Sequence, residues 1–153
     1  MIQHFDSRYF GKIAVDPQSI IEFPAGLPGF EDSQRFIVLQ HADQSALAFL
    51  QSLENTGLCF LALPVGWLRP DYQLDLAEED LELLGLPADG KPVPGRDVVA
   101  LALLSLVEGQ EPTANLLSPI VIRAAAGKGV QAIRPDGRYS CREPLRVVEA
   151  VCS

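Results

Sequence analysis

The chain has 153 residues, of which 48% are hydrophobic and 21% charged, a composition that predicts a packed core and excludes an intrinsically disordered chain. Its net charge is −8, and the acidity is concentrated in residues 1–90, where fourteen acids outnumber four bases and leave a balance of −10. An acidic surface repels nucleic-acid phosphates and attracts basic partners, so direct nucleic-acid binding is disfavoured.

The N-terminal quarter predicts two strands and a sharply bent segment. Residues 12–15 and 19–23 are strand-like, and Asp16-Pro17 between them is a turn signal because proline fixes φ and lacks an N–H donor. We therefore expect a hairpin. The bent segment, FPAGLPGFE (23–31), combines glycines that permit unusual backbone angles with prolines that interrupt a sheet ladder.

The bent segment has two interpretations at the sequence level. It is either a rigid connection that inserts Phe30 into the core, or a rim that presents Leu27 and Phe30 as apolar anchors for a protein partner. The two interpretations are compatible. No lysine, serine, histidine or cysteine stands in the segment, so we expect it to shape a surface and not to perform chemistry.

The middle of the chain predicts further short strands and one helix. Strand-like runs rich in β-branched or aromatic residues occupy residues 36–40, 46–51 and 58–63. A helix is predicted over 76–84, capped by Asp75 with Glu78 three residues later, and ended by Gly85. Leu81 and Leu84 then share one face of that helix.

The last part of the chain begins with a breaker-rich segment. Residues 87–95 (PADGKPVPG) contain three prolines and two glycines, which predicts a mobile loop within one domain, with a domain boundary as the alternative. Residues 98–106 are apolar on both alternating faces, as in a buried strand, although a buried helix fits as well. Two more strands are predicted over 115–123 and 129–134.

These elements predict a mainly β protein: one small antiparallel barrel-like or sandwich domain over residues 1–153, with one short helix. A helix-rich α/β fold is the alternative. The N-terminal residues lack the pattern of a signal peptide, and the longest apolar run is half the length of a membrane-spanning helix, which needs about 20 residues. The three cysteines form no C-x-x-C pair, which fits reduced thiols in the cytoplasm.

The search for catalytic residues identifies no convincing candidate. His4 and His41 have no metal-ligand partner at helical spacing, and neither a G-x-S-x-G elbow nor a phosphate-binding loop is present. The cysteines Cys59, Cys141 and Cys152 have no neighbouring histidine to activate them. We predict no catalytic, cofactor-binding or metal-binding residue.

The acidic run DYQLDLAEEDLELL (71–84) has three interpretations. Its carboxylates form a solvated helix start, a calcium site, or a face that docks a basic partner. The spacing of an EF-hand loop and its central glycine are missing, which disfavours calcium. The docking face would comprise Asp71, Tyr72, Asp75, Glu78, Glu79 and Glu82.

Six motifs occur in order and cover most of the chain. They are Tyr9-Phe10-Gly11; Phe23-Pro24 with residues 26–31; Leu50-Gln51-Ser52; Pro70-Asp71-Tyr72 with Asp75-Leu76; residues 113–117 with 119–122; and Tyr139-Ser140 with Arg142. Together they resemble the FliW family of flagellar assembly factors. The G-L-P-G-F-E core makes this ordered set specific.

The resemblance implies a compact, mainly antiparallel β-barrel-like fold without catalytic activity or cofactor. It implies that the protein binds newly made cytoplasmic flagellin. It further implies that, once flagellin is exported, the freed protein binds the small RNA-binding repressor CsrA and relieves repression of flagellin mRNA. We expect a monomer whose CsrA-facing surface includes the carboxylates of Asp71, Asp75, Glu78, Glu79 and Glu82. The alternative is a small ligand-binding or enzymatic barrel with a site near Tyr139 and Arg142.

Overall fold

The computed structural model of the chain describes residues 2–40, 46–132 and 137–145. Within these residues the fold is mainly β, with two short α-helices, α1 (Val65–Leu68) and α2 (Glu78–Leu83). The strands in the described residues are β1 (Gln3–Ser7), β2 (Gly11–Val15), β3 (Ile21–Glu22), β4 (Arg35–Gln40), β5 (Ala48–Ser52), β6 (Cys59–Pro64), β7 (Val99–Ser105), β8 (Thr113–Arg123), β9 (Lys128–Gln131) and β10 (Glu143–Pro144).

Seven strands close into a barrel. Their order is β8-β7-β6-β5-β4-β3-β9, and β9 pairs back with β8 to complete the ring. Every pairing is antiparallel except that of β3 with β9, and β10 pairs with β8 as an additional strand. The prediction of a mainly β, antiparallel barrel-like fold is confirmed, and the helix-rich α/β alternative is wrong.

Large apolar side chains from the strands around the ring fill the barrel. Phe23 and Phe36 meet edge-to-face with ring centroids 5.3 Å apart, and both are fully buried together with Leu50 and Ile120. Gly129 on β9 makes room for Phe23, because a Cβ at Gly129 would lie 2.6 Å from its Cζ. The interior is therefore a packed core, as is usual for barrels of this strand number.

The bent segment closes one end of the barrel. Gly26 and Gly29 both adopt positive φ, at 66° and 85°, and two successive turns fold the chain so that Leu27 and Phe30 form a β-bridge. Leu27 enters the core and is 1% exposed, whereas Phe30 packs edge-to-face on Phe60 at 5.4 Å. We call this the closed end.

At the opposite end of the barrel, the residues that the structure describes leave an opening. β4 runs from Phe36 near the closed end to Gln40, where β5 begins and β6 ends. A pocket of about 430 Å³ lies here, lined by residues from β3 to β8. Two of its lining residues, Val38 and Val99, are substantially exposed. We call this the open end.

The predicted hairpin of residues 12–15 with 19–23 is wrong. β2 pairs with β1, a strand that the sequence analysis did not identify, in the register Phe5↔Ile13. Asp16 accepts a hydrogen bond from the Gln18 N–H and starts a 3-10 turn over Pro17–Ser19, after which the chain enters the barrel as β3. The β1–β2 hairpin instead packs outside the barrel, where Val15 meets Ile37 of β4.

The predicted helix forms, but it starts later and without the predicted cap. α2 begins at Glu78, its N-cap residue is Ala77, and no side chain caps it, so the role assigned to Asp75 is wrong. Its C-terminal boundary is confirmed, because Gly85 takes a φ of +71° directly after the last turn. Helix α1, before it, was not predicted.

The predicted C-terminal strands are confirmed, whereas the predicted mobility of the 87–95 loop stays a prediction. Residues 87–95 form a loop of successive turns, and residues 98–106 contain strand β7 and no helix. The predicted strands at 115–123 and 129–134 correspond to β8 and β9, although residues 133 and 134, together with His41 and Cys152, lie outside the described residues. None of the helices in the described ranges is long and apolar enough to cross a membrane.

Candidate protein-binding surface

The acidic face of α2 is produced by the way the helix packs. Leu84 is buried against Val121 and Val130 on the outside of β8 and β9, and Leu81 is also buried. Because side chains three residues apart share a helix face, the other side of the helix is turned to solvent. Glu79 and Glu82 lie on that side, and Glu78, at its edge, is exposed as well. Packing of the leucines therefore presents three carboxylates outward.

One carboxylate of the helix differs from the others. Asp80 is partly buried, and its burial, followed by the neighbouring charge of Glu79, raises its pKa above the usual value. Burial raises the pKa of a carboxyl group because it disfavours the charged form. Asp80 thus lies at the boundary between the apolar and the acidic side of α2.

The segment before α2 is held by a cluster of side chains around two tyrosines. Tyr72 stacks on Tyr139 with centroids 4.3 Å apart, and its hydroxyl donates to the Leu116 carbonyl oxygen at 2.7 Å. The guanidinium of Arg69 lies 5.8 Å from the centre of the Tyr139 ring. Its Nη1 lies 3.2 Å from the carboxylate of Glu143. Tyr72 therefore anchors the acidic segment to the barrel.

The predicted carboxylates lie on one continuous stretch, although they differ in their surroundings. Asp71 is 80% exposed and lies 3.7 Å from Arg69 Nε, so part of its charge is balanced. Asp75 is exposed and precedes the helix. We define the acidic face as Asp71, Asp75, Glu78, Glu79 and Glu82.

The two anchors predicted in the bent segment have different positions. Leu27 belongs to the core, so the expectation that its side chain lies at a rim is wrong. Phe30 is 43% exposed although it contacts Phe60, which leaves an aromatic surface at the closed end. The bent segment packs at the barrel end and α2 packs on the outer wall, so the two predicted surfaces occupy different parts of the molecule.

The alternative site at Tyr139 and Arg142 does not form a barrel mouth. Tyr139 packs outside the barrel, and its hydroxyl accepts a hydrogen bond from the Gln73 N–H at 2.9 Å. Arg142 is exposed, and its backbone N–H donates to Ser140 Oγ. The barrel interior between the two ends is filled by side chains, which argues against a ligand site built on these two residues.

The sequence analysis missed two features of the structure, one beside the acidic face and one at the open end of the barrel. The Arg69–Tyr139–Glu143 cluster joins residues about seventy positions apart, and only the tertiary fold brings them together. The open end combines one or two apolar residues from each of six strands, and each of these residues looks like an ordinary strand residue in the sequence.

Fold and surface together define a class: a small, closed, antiparallel β-barrel with a packed interior, short external helices and an acidic outer face. Comparison with known proteins gives the family. The family model described as FliW protein matches residues 4–145. The chain therefore belongs to the FliW family.

Individual relatives agree with this assignment. The flagellar assembly factor FliW of Caldicellulosiruptor bescii is 32% identical over 137 residues, which cover 89% of this chain and 86% of the relative. The Bacillus subtilis factor of the same name is 29% identical over 146 residues, covering 95% and 96%. A crystal structure of the flagellar assembly factor FliW superposes with a TM-score of 0.79 at 28% identity, covering 93% of this chain and 96% of that one.

Proposed function

We propose that this chain is a cytoplasmic, non-enzymatic flagellar assembly factor that acts as a single FliW-like domain and binds two proteins in alternation. It binds flagellin, and when released it binds and antagonises the translational repressor CsrA. The observation that carries the proposal is the family match over residues 4–145, supported by relatives named as flagellar assembly factors. The protein works as a monomer that changes partners.

The acidic face is the proposed CsrA-binding surface. Three of its carboxylates lie on α2 and two lie in the segment before it, and the chain carries a net charge of −8. A repressor that binds RNA must present basic surface, and opposite potentials accelerate encounter and fix the orientation of the complex. Tyr72 holds the start of this face through its hydrogen bond to Leu116.

A matched pair of charge reversals tests this surface. The test variant is Glu78→Lys with Glu79→Lys and Glu82→Lys, and the control variant is Asp89→Lys with Glu108→Lys and Glu111→Lys. All six residues are exposed, and each reversal adds two charge units, so both variants move the net charge from −8 to −2. CsrA affinity measured by calorimetry at low salt falls at least about tenfold in the test variant, because close like charges disfavour the complex. Equal loss in both variants would show that only overall charge matters.

Phe30 is the proposed apolar anchor for flagellin. Exposed aromatic side chains contribute strongly to protein–protein binding. Membership of the FliW family implies that the terminal segments of flagellin are amphipathic helices, which an apolar surface can bind. Phe30→Ala should weaken flagellin binding about tenfold or more, whereas Val93→Ala, at a similarly exposed residue of the 87–95 loop, should not. Binding is measured by co-purification and calorimetry. Unchanged affinity in Phe30→Ala would remove this residue from the interface.

An exchange experiment tests the function as a whole. The protein is purified in complex with flagellin and, separately, with CsrA, and each complex then receives the other partner. We expect flagellin to displace CsrA, and because the two proposed surfaces lie in different parts of the molecule, this displacement acts through the fold and not by direct overlap. Failure to bind either partner would contradict the proposed function, whatever the behaviour of the individual variants.

A further inference from the structure

The open end of the barrel is a pocket with a defined lining. It has a volume of about 430 Å³, within the range of about 300–1,000 Å³ typical of small-molecule sites. Six strands contribute to it, with Ile21, Val38, Pro64, Val99 and Ile122 among its apolar side chains. Six of the seven barrel strands therefore contribute to this pocket.

Two valines of the lining are more exposed than their positions in the strands predict. Val38 lies two residues from Phe36 on the same face of β4, and Val99 lies two residues from Leu101 on β7. Phe36 and Leu101 are 0% and 3% exposed, but Val38 and Val99 are 36% and 44% exposed. The inward-facing apolar surface thus continues beyond the packed core into solvent.

The pocket has a floor. Leu101 and Ile122 line it and also belong to the core cluster that contains Phe36 and Leu50. Below them the interior is packed, and Leu27 closes the far end. A ligand therefore enters from one side and stops at the core.

The chemistry of the lining identifies the ligand class. All of the described residues that line the pocket are uncharged, and polar groups come from Gln18, Ser19 and Gln40. Apolar walls with a few polar groups suit a molecule that is mostly hydrocarbon. We infer that the open end binds a small uncharged molecule with an aliphatic chain and one hydrogen-bonding head group. The chain occupies the mouth between Val38 and Val99, and the head group faces Gln18 and Gln40.

The shape of the pocket favours a small molecule over a helix of a partner protein. A helix that lies across a surface needs a groove open at both sides, whereas six of the seven barrel strands contribute to this pocket and its floor is packed. An aliphatic chain enters such a pocket end-on. This inference is independent of the proposed partner exchange, which uses the acidic face and Phe30.

Straight-chain alcohols test the inference directly. The full chain, labelled in its methyl groups, is titrated with 1-butanol, 1-hexanol and 1-octanol and followed by ¹H–¹³C NMR. We expect saturable shifts in the methyls of Val38, Val99, Leu101 and Ile122. Affinity should rise about fourfold for each added methylene, as burial of a hydrocarbon chain predicts. Shifts confined to other methyls, or affinity independent of chain length, would overturn the inference without any variant.

A matched pair of variants provides a second readout. Val99→Asp places a charge in the mouth, and Val93→Asp places one at a similarly exposed residue outside the residues that line the pocket. 1-Octanol affinity should fall at least about tenfold in Val99→Asp, because an apolar chain would have to desolvate the carboxylate. It should remain unchanged in Val93→Asp. Equal affinity in the two folded variants would exclude the open end as the binding site.

Discussion

The two ends of the barrel differ in how far their apolar side chains are covered. At the closed end, the chain bends through two glycines of positive φ and inserts Leu27 into the core, leaving Phe30 to cover Phe60. At the open end, the described residues leave Val38 and Val99 in contact with solvent above a packed floor. The strands of a barrel leave apolar side chains uncovered at each end, and only an added segment of the chain can cover them. The closed end therefore contributes buried apolar surface to the stability of the fold, whereas the open end leaves apolar surface exposed and available for binding.

The closed end should lose much more stability when an apolar side chain is shortened. Leu27→Ala should cost about 2–5 kcal/mol, because it creates a cavity beside fully buried neighbours. Val99→Ala at the open end should cost about 1 kcal/mol or less, because almost half of this side chain is already hydrated. Urea unfolding measures both free energies. Similar losses at the two ends would mean that the open end is packed in solution.

The backbone of the closed end can be tested separately from its side chains. At Gly26 a Cβ would lie 2.8 Å from Glu31 Cα, whereas at Gly29 nothing lies within 4 Å. Both residues have positive φ, so Gly29→Ala has only the backbone strain, about 1–2 kcal/mol, and Gly26→Ala has the clash in addition. We expect Gly26→Ala to be less stable by about a further 1–3 kcal/mol. Equal melting shifts in the two variants would show that the bend adapts freely.

The smallest effect is expected outside both ends, at Asp80 on the barrel wall. Its pKa is raised in the folded protein, so the folded state binds the proton more tightly than the unfolded state. The stability associated with the protonated form is present below the usual pKa of 3.8 and is lost as pH rises through the raised pKa. Asp80→Asn should therefore stabilise the protein at pH 7, by no more than about 0.5 kcal/mol.

The pH dependence gives this last prediction its control. The gain of Asp80→Asn over the wild type should shrink as the pH is lowered and disappear well below 3.8, where the Asp80 carboxyl is protonated in both the folded and the unfolded state. Glu82→Gln, at an exposed residue of the same helix, should show no such gain at pH 7. Thermal unfolding over this pH range distinguishes the two, and a gain that is independent of pH would contradict the assigned cause.

Local patterns in the sequence predicted much of the secondary structure because the forces behind them act within a few residues. Gly85 ended α2 as expected, since a residue in the left-handed region terminates a helix wherever it occurs. Leu81 and Leu84 share the buried face for the same local reason. The start of the helix was less predictable: α2 begins three residues after Asp75, and its N-cap residue is Ala77, with no side-chain cap.

Strand pairing was the main failure, because it depends on contacts that are distant in sequence. Asp16-Pro17 was correctly recognised as a turn, but the turn leads from the outer hairpin into the barrel and does not join two paired strands. β3 pairs instead with β4 and β9, the latter more than one hundred residues later. A turn signal specifies a change of direction, and it leaves the partner of each strand undetermined.

By itself, the sequence determined the β-rich class, the acidic face of α2, the bent segment and, through its ordered motifs, the family. Each of these depends on residue type and short spacing. Only the tertiary structure decided that Leu27 is buried and Phe30 exposed, that Tyr72 stacks on Tyr139, and that the described residues leave Val38 and Val99 exposed at one barrel end. The physical reason is that burial is a property of the whole ring of strands, since a side chain is covered only by what the rest of the chain places above it.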